Sequence, residues 1–233
     1  MQDLDCQLEY WNKLGPTKPL GHPVNFERLA QWVSPADRIL DYGCGYGRVL
    51  GMLYSRGYRD LLGVDPAEAM IETARQRFPA LRFEPITAPP RVDLPDESVG
   101  AVLLFNVLTS VPTDDGQRTI IHEIRRVLQP GGLLYISDLW VQSDERHKER
   151  YARDETKYGR YGVFDSPEGL TLRHHDRDWI SSLLSGIEPK ALDEVEVQTV
   201  SGSWAQGFQW FGLKRAQVRK SSQSGQPRQP GKQ

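Results

Sequence analysis

Three glycines in alternation follow an acidic residue early in the chain. They belong to the stretch Asp41-Tyr42-Gly43-Cys44-Gly45-Tyr46-Gly47, which comes directly after the apolar pair Ile39-Leu40. Glycine accepts a positive φ and has no Cβ to hold a ligand away from the backbone. The spacing therefore predicts a tight turn from a strand into a helix, whose backbone amides contact a cofactor at the carboxyl edge of a sheet.

A second acidic residue, Asp65, lies 22 positions after Gly43, at the end of another apolar run. A carboxylate there can accept hydrogen bonds from both hydroxyl groups of a ribose, and NAD-dependent enzymes use the same geometry. It could instead cap the helix that Pro66 would begin, a role compatible with ribose binding. Asp65 alone therefore does not distinguish one nucleoside cofactor from another.

The pattern of the glycine turn separates two classes of cofactor. A dinucleotide site favours G-x-G-x-x-G, whose third glycine lets helix and strand pack closely, but this chain has Arg48 at that position. Its own pattern, D-x-G-x-G-x-G, resembles the first motif of class I S-adenosylmethionine-dependent methyltransferases. That cofactor has no pyrophosphate; Asp41 offers negative charge to its cationic end, and the turn amides offer donors to its carboxylate. A purely structural glycine turn is the alternative.

Apolar runs alternate with helical patterns from residue 37 onward. The predicted strands are Ile39–Tyr42, Leu61–Val64, Leu81–Glu84, Val99–Phe105 and Leu133–Ser137. The helices predicted between them cover Val49–Arg56, Ala69 to Phe78 and Ile120 to Leu128. Strands that alternate with helices of this length imply right-handed crossovers and a parallel sheet covered on both faces.

The two ends of the chain differ from this pattern. Residues 1–36 are predicted to form an N-terminal helical cover, in which Tyr10 and Trp11 are candidate lid aromatics or, for Trp11, core residues. Residues 139–175 are charged and aromatic with little periodicity, which predicts a lid after the fifth strand. A helix over Asp178–Leu184 and strands over Val195–Val200 and Phe208–Leu213 follow, the strands closing as an antiparallel hairpin. Residues 217–233 are polar and predicted to be disordered.

Five motifs occur in the order and at the spacing of one enzyme family. They are Ile39 to Gly47, Leu62-Gly63-Val64-Asp65-Pro66, Leu94-Pro95-Asp96-Glu97-Ser98, Phe105-Asn106-Val107-Leu108 and Leu128-Gln129-Pro130-Gly131-Gly132-Leu133-Leu134. Residues 37–138 therefore resemble a small-molecule class I methyltransferase of the UbiE-like type. The resemblance implies a Rossmann-like, doubly wound α/β sheet of seven strands, mostly parallel with a C-terminal antiparallel hairpin, in a methyltransferase domain over residues 37–216.

The resemblance also implies S-adenosyl-L-methionine as cofactor and assigns residues to it by position. Asp41, Gly43, Gly45 and Gly47 would line its methionine part, Asp65 would hold the ribose, Pro66 would pack near the adenine, and Asn106 would face the methionine moiety or the acceptor. The third strand departs from the family, because Thr87-Ala88 replaces an acid followed by alanine. Thr87 can accept a hydrogen bond but carries no charge, while Ala88 still offers its backbone amide.

Methyl transfer is an in-line displacement, so the protein mainly holds the acceptor behind the methyl group and excludes water. A general base is needed only for a protonated, weakly nucleophilic acceptor. His174 and His175 are the candidates because histidine titrates near neutral pH, and the alternative is that they cap or pack the next helix. Aromatic residues punctuate the lid at Tyr151, Tyr158, Tyr161 and Phe164. They predict a planar or heteroaromatic acceptor, or else they anchor the lid.

Composition narrows the class of protein. The 233 residues carry a net charge of −2, which gives no general attraction to nucleic acid or to an acidic membrane. No membrane-spanning run or signal layout is seen, and Cys6 and Cys44 make neither a disulfide framework nor a zinc site. We expect a cytoplasmic enzyme, monomeric or homodimeric, with a small-molecule acceptor and no metal.

Two other functions stay open at this point. One is a non-catalytic protein of the same fold that binds the cofactor to regulate or scaffold a partner. The other is a nicotinamide-dependent dehydrogenase, which the missing third glycine and the absence of a Tyr-x-x-x-Lys pair disfavour.

Overall fold

A computed structural model describes residues 3–19, 21–199 and 202–215. Its helices are α1 Asp3–Cys6, α2 Leu8–Leu14, α3 Phe26–Leu29, α4 Arg48–Ser55, α5 Glu68–Arg77, α6 Asp114–Val127, α7 Glu145–Tyr158 and α8 Arg177–Leu183, with single 3-10 turns at Gly15–Thr17 and Leu108–Ser110. Its strands are β1 Ile39–Tyr42, β2 Leu61–Asp65, β3 Arg82–Pro85, β4 Val99–Phe105, β5 Leu128–Leu139, β6 Val163–Asp165, β7 Thr171–Arg173, β8 Ile187–Gln198 and β9 Trp204–Lys214. The tail predicted over residues 217–233 lies outside the described residues.

Seven of the strands form one sheet in the order β3-β2-β1-β4-β5-β9-β8. The first five strands are parallel, whereas β9 runs antiparallel to both β5 and β8. This confirms the predicted α/β architecture and its C-terminal antiparallel pair. The strand order reverses between β1 and β4, and ligands of doubly wound sheets bind at the carboxyl ends of the strands where such a reversal occurs.

The core lies on both faces of the sheet. In β1, Leu40 belongs to a cluster with the apolar side of α6, and Ile39 belongs to the opposite cluster with α4 and α5. Because both faces of each central strand are covered, all four residues of β1 and all five of β2 are buried. A parallel sheet buried on two faces requires such continuous apolar runs, which is why these strands are legible in the sequence.

The lid region contains regular structure that its sequence pattern does not indicate. Helix α7 spans 14 residues, begins after Asp144, whose side chain accepts from the His147 amide, and ends at Gly159 with a φ of 65°. Only Tyr151 and Asp154 of this helix are buried, so it lacks the apolar stripe on which helix prediction depends. The β6–β7 hairpin follows, so the segment predicted as a lid contains a helix and a hairpin that its sequence pattern does not show.

The C-terminal strands are also longer than predicted. Strand β8 is the edge of the sheet and is exposed from Glu188 to Lys190 and at every second residue from Leu192 onward, so its first half does not stand out as an apolar run. Strand β5 begins at Leu128 rather than Leu133, because Leu128 already pairs with Val99 of β4, before a register shift that precedes the pairing of Leu133 with Ala101. At the other end of the chain, the second half of the predicted N-terminal cover contains only one short α-helix, Phe26–Leu29.

Candidate functional site

The glycine turn joins β1 to α4 at the carboxyl edge of the sheet. Gly43, Gly45 and Gly47 all have positive φ values, of 73°, 53° and 82°. A Cβ on Gly43 would lie 2.6 Å from Val107 Cγ2, and one on Gly47 would lie 2.6 Å from Phe83 Cζ. The first contact faces the loop after β4 and the second faces β3. The alternation therefore serves both the turn and its packing.

The backbone amides of the turn are largely engaged within the protein. Those of Gly43 and Cys44 both donate to the Val64 carbonyl at 2.8 and 3.0 Å, and that of Gly47 donates to the Cys44 carbonyl at 3.0 Å. The Gly45 amide donates to Asp65. The expectation that these amides donate to a cofactor carboxylate is therefore not met by these four groups, because the turn closes on the end of β2.

Asp65 lies at the end of β2 and holds the glycine turn by a hydrogen bond. Its Oδ2 accepts from the Gly45 amide at 2.9 Å, and its Oδ1 accepts from the Ala67 amide at 2.8 Å, just before α5 begins. Burial raises the pKa of Asp65 to about 6, although the two amides act in the opposite direction. The carboxylate thus organises the start of α5 and still lines the cleft described below.

Asp41 is a buried carboxyl group with no described partner. It is the third residue of β1, its exposed fraction is 1%, and neither carboxylate oxygen accepts a hydrogen bond from any described residue. Burial raises its pKa to about 7; the Arg48 charge lowers it and the Asp65 charge raises it further. Burying an ionised carboxylate without a partner costs several kcal/mol. The arrangement therefore favours a cationic ligand beside β1.

A cleft with about 680 Å³ of empty space opens at this edge of the sheet. We call it the first cleft, and it is lined by Asp5, Cys6, Trp11, Tyr42, Gly43, Gly45, Asp65, Pro66, Met70, Pro89, Phe105, Asn106, Val107, Ser110, Val111 and Ile120. It lies at the strand-order reversal between β1 and β4, where doubly wound sheets bind their ligands.

The predicted cofactor residues fall into three groups. Five line the first cleft: Gly43, Gly45, Asp65, Pro66 and Asn106. Asp41 and Gly47 do not line it, although Asp41 directly precedes Tyr42, which does. Thr87 and Ala88 are exposed and do not line it, because the chain turns after β3, with the Arg91 amide donating to the Ala88 carbonyl at 3.0 Å. Pro89 lines the cleft in their place.

A second cleft adjoins the first and contains the candidate catalytic histidine. Both clefts share Trp11, Asn106 and Ser110. The rest of the second cleft comes mainly from α7, the β6–β7 hairpin and the β8–β9 end, and includes Thr109, Arg146, His147, Arg150, Phe164, Glu168, His174 and Trp204. Asn106 follows β4 with a φ of 60°, and its amide donates to the Ser137 carbonyl at 2.8 Å. Two ligands would thus meet at Asn106 and Ser110.

The structure separates the two predicted histidines. His174 lines the second cleft, and its Nδ1 lies 2.6 Å from the Tyr151 hydroxyl. That hydroxyl accepts the Gln142 amide hydrogen at 3.2 Å, so its own hydrogen is available to Nδ1. In the tautomer whose proton is on Nε2, the ring accepts this hydrogen at Nδ1. Burial lowers the pKa of His174 to about 3, so the ring is neutral at physiological pH.

His175 faces the interior instead. Its Nε2 lies 3.5 Å from an oxygen of Asp138, both side chains are fully buried, and His175 lines neither cleft. Burial lowers the pKa of His175 in spite of the Asp138 charge. Asp138 also accepts hydrogen bonds from the Thr109 hydroxyl and amide and from the Leu139 amide. His175 thus belongs to a buried polar cluster beneath the second cleft.

The N-terminal segment closes the site through residues that the sequence does not single out. Gln7 Nε2 donates to the Ser110 and Thr171 carbonyls at 3.0 and 2.8 Å, and the Thr171 amide donates back to Gln7 Oε1 at 2.8 Å. Asp5 accepts from the Thr113 amide and hydroxyl at the start of α6. A glutamine with a φ of 45° has no sequence signature, so only long-range packing reveals this clamp.

The described residues show neither a cluster of metal ligands nor a membrane-spanning helix. Over residues 3–19, 21–199 and 202–215, no three His, Cys, Asp or Glu side chains come together in a way that would hold a metal ion. The same part of the chain contains no helix with the length and apolarity needed to cross a bilayer.

Part of the chain is similar to known methyltransferases. Residues 40–136 match the family model described as a methyltransferase domain. N-demethylindolmycin N-methyltransferase of Streptomyces griseus is 32% identical over 51% of this chain and 52% of its own length. The human eEF1A lysine and N-terminal methyltransferase is 31% identical over 45% of this chain and 16% of its own length. The chain thus spans about half or less of the length of these relatives.

A solved structure shows the same fold. A SAM-dependent methyltransferase from Methanosarcina mazei superimposes with a TM-score of 0.77 at 24% identity, over 83% of this chain and 99% of its own. The motif order, the strand order and the matched domain agree with one another. Together the comparisons support a class I S-adenosylmethionine-dependent methyltransferase domain over residues 40–136.

Proposed function

We propose that this protein transfers the methyl group of S-adenosyl-L-methionine to a small molecule bound in the second cleft. The observation that carries the proposal is the unpartnered, buried Asp41 carboxylate beside a cleft lined by Asp65 and the glycine turn. A cationic cofactor satisfies that buried charge, whereas the pyrophosphate of a dinucleotide would add negative charge next to it. The UbiE-like subtype stays a prediction.

The residues of the first cleft have separable tasks in binding the cofactor. Asp41 supplies negative charge from behind the wall, Asp65 offers its remaining lone pairs to the ribose hydroxyls, and Pro66 packs beside the base. When bound, the cofactor supplies an electrophilic methyl group on a sulfonium. Gly43 lets the backbone approach without a Cβ, and Gly47 keeps α4 packed on β3 through Phe83. Thr87 and Ala88, being exposed, have no proposed contact.

The junction of the two clefts positions the acceptor. Asn106 and Ser110 line both clefts, so an acceptor in the second cleft reaches the reactive end of the first beside them. Trp11 covers the same junction. Holding two reactants in line in this way replaces a bimolecular encounter and accounts for much of the rate of group transfer. We assign the segment around Gln7 and Asp5 the role of a cover that excludes water.

His174 acts in this proposal as a hydrogen-bond donor rather than a base. Its Nδ1 accepts from Tyr151, and a ring with a pKa of about 3 has little affinity for a proton from the acceptor. Its Nε2–H is thus suited to hold a polar group of the acceptor. His175, packed against Asp138, supports the wall from behind. The proposed chemistry therefore suits an acceptor that is nucleophilic without a strong base.

A labelling experiment tests the proposal. The purified full chain is incubated with S-adenosylmethionine carrying a labelled methyl group, together with either a small-molecule extract or the protein fraction of the same cells. We expect label in the small-molecule fraction. Label in protein alone would favour an acceptor like those of the eEF1A relatives. S-adenosylhomocysteine binding without transfer to either fraction would favour the non-catalytic alternative.

We also propose that the protein is located in the cytoplasm. Neither Cys6 nor Cys44 takes part in a disulfide, in keeping with the reducing cytoplasm that the sequence predicts. Whether the protein is a monomer or a homodimer stays a prediction.

A further inference from the structure

We infer that the acceptor carries a carboxylate, and that Arg146 and Arg150 of α7 bind it. The inference rests on the proposed function, because it names the class of acceptor for the second cleft. Both arginines line that cleft. The guanidinium group presents paired N–H donors whose geometry matches a carboxylate, which makes arginine the usual residue for reading this group.

The pairing of the lid cations supports this inference. Between residues 139 and 183, each of the other lysines and arginines forms an ion pair with a described carboxylate: Lys148 with Glu145, Arg153 with Asp154, Lys157 with Asp165, Arg160 and Arg173 with Asp114, and Arg177 with Glu194. Arg146 and Arg150 form none with any described residue. The two cations of the lid that face the cleft are therefore the two without a carboxylate partner.

The backbone holds these two side chains together. They are four residues apart on α7, so they project from the same face of the helix. Arg150 is half-buried, and its guanidinium carbon lies 4.9 Å from the ring centroid of Phe164, a buried residue of β6. Tyr151, fully buried, anchors the same turn of helix to His174. A cation stacked in this way is partly ordered before a ligand binds, which reduces the entropy lost on binding.

The other charges of the cleft agree with an anionic ligand. Among the described residues that line it, Glu168 is the only one with a carboxylate, against the two arginines. His147 lies beside them with its Nδ1 2.7 Å from Asp144, and His174 adds a ring Nε2 that donates in the tautomer in which Nδ1 accepts from Tyr151. The described wall thus carries more positive charge and more donors than it can satisfy internally.

Aromatic side chains favour a flat, small acid over an acidic peptide. Trp11, Phe164 and Trp204 line the same cleft, and a planar ring can stack on them. The acceptor then lies with its carboxylate at α7 and its nucleophile at the Asn106–Ser110 junction. The carboxylate end of the acceptor determines which small molecules bind, and the nucleophile at its other end receives the methyl group.

Matched acids and amides test the inference. The full chain is saturated with S-adenosylhomocysteine and titrated calorimetrically with salicylate, anthranilate and nicotinate, each against its carboxamide. We expect at least one acid to bind about tenfold more tightly than its amide, since a charge-assisted hydrogen bond contributes that much. The double variant Arg146→Ala/Arg150→Ala is expected to lose this ratio. The control Lys148→Ala/Arg82→Ala removes two exposed cations that do not line the cleft and is expected to keep it.

The outcomes are distinguishable. Acid-to-amide ratios near one for all three pairs, no binding of any acid, or a ratio that survives in the arginine double variant would each overturn the inference. S-adenosylhomocysteine binding by the double variant shows that it remains folded. Failure of the unmodified chain to bind S-adenosylhomocysteine would instead overturn the proposed function itself.

Discussion

The carboxylate of Asp65 accepts the amide hydrogen of Gly45, with 2.9 Å between Oδ2 and the nitrogen. This bond joins the end of β2 to the middle of the glycine turn after β1, two segments that a cofactor in the first cleft would contact together. The same carboxylate fixes the approach to α5 through Ala67. One side chain therefore shapes the turn and faces the ligand.

Replacing Asp65 should separate these roles. Asp65→Ala is expected to weaken S-adenosylhomocysteine binding about tenfold to a hundredfold, because it removes charge-assisted hydrogen bonds and releases the Gly45 amide. Asp65→Asn keeps one acceptor oxygen and should weaken binding less. Calorimetric titration of both variants measures the difference. Equal affinity in Asp65→Ala and the unmodified chain would show that Asp65 only organises the turn.

Asp41→Asn should stabilise the unliganded protein while weakening cofactor binding. The pKa of Asp41 is raised from 3.8 to about 7, so the folded protein keeps a proton that the unfolded chain has released, and folded-state stability declines as pH rises from about 4 to 7. A neutral asparagine avoids this loss. We expect a gain of about 2–4 kcal/mol above pH 7 that disappears below about pH 4.

Denaturant unfolding across this pH range, with and without S-adenosylhomocysteine, measures both effects. Asp93→Asn, at an exposed position, is the matched control and should change neither. Lower stability of Asp41→Asn at pH 8, or unchanged cofactor affinity, would mean that the buried carboxylate already has a partner.

Alanine at Gly43 should damage the site more than alanine at Gly57. Both glycines have positive φ, of 73° and 93°, so either substitution strains the backbone by about 1–2 kcal/mol. Only at Gly43 would the new Cβ also lie 2.6 Å from Val107, whereas nothing lies within 4 Å at Gly57. We therefore expect cofactor affinity to fall in Gly43→Ala alone, and to recover in part when Val107→Ala is added. Comparable affinity losses in both single variants would implicate strain rather than the cleft.

We expect the protonation of His174 to have no effect on the pH dependence of kcat near neutral pH. Burial lowers its pKa from 6.5 to about 3, so with both substrates saturating we expect no rising limb near pH 6.5 that depends on this residue. His174→Ala and Tyr151→Phe should raise the KM for the acceptor more than they lower kcat. A limb near pH 6.5 that vanishes in His174→Ala would identify a general base. Unchanged kinetics in both His174→Ala and His175→Ala would remove the histidines from the mechanism.

The parallel strands of the sheet could be predicted because each buried strand is a continuous apolar run within one short segment of sequence. Strands β1 and β4 have the bounds expected from the sequence, since a strand covered on both faces is a continuous apolar run. The glycine turn and Asp65 were likewise predictable, because their backbone and charge requirements restrict the residue type. Five predicted residues do line the first cleft for this reason.

The acceptor side was not predictable in the same way. Helix α7 lies in a charged segment without an apolar stripe. Its packing against β6 places Arg150 over the ring of Phe164. The clamp through Gln7 depends on partners more than a hundred residues away in sequence. Thr87 and Ala88 illustrate the opposite case: they occupy the position of a family motif from which Thr87 departs, and the structure leaves both residues exposed. Such features depend on tertiary contacts that no single segment encodes.

Calorimetric titration of the purified chain with S-adenosylhomocysteine, with NAD as the parallel ligand, tests the central claim most directly. The buried Asp41 and the closed turn predict micromolar binding of S-adenosylhomocysteine and no binding of NAD (affinities of this order correspond to about −8 kcal/mol). Binding of NAD alone would contradict the interpretation of the Gly43–Gly47 turn and, with it, the proposed methyl transfer.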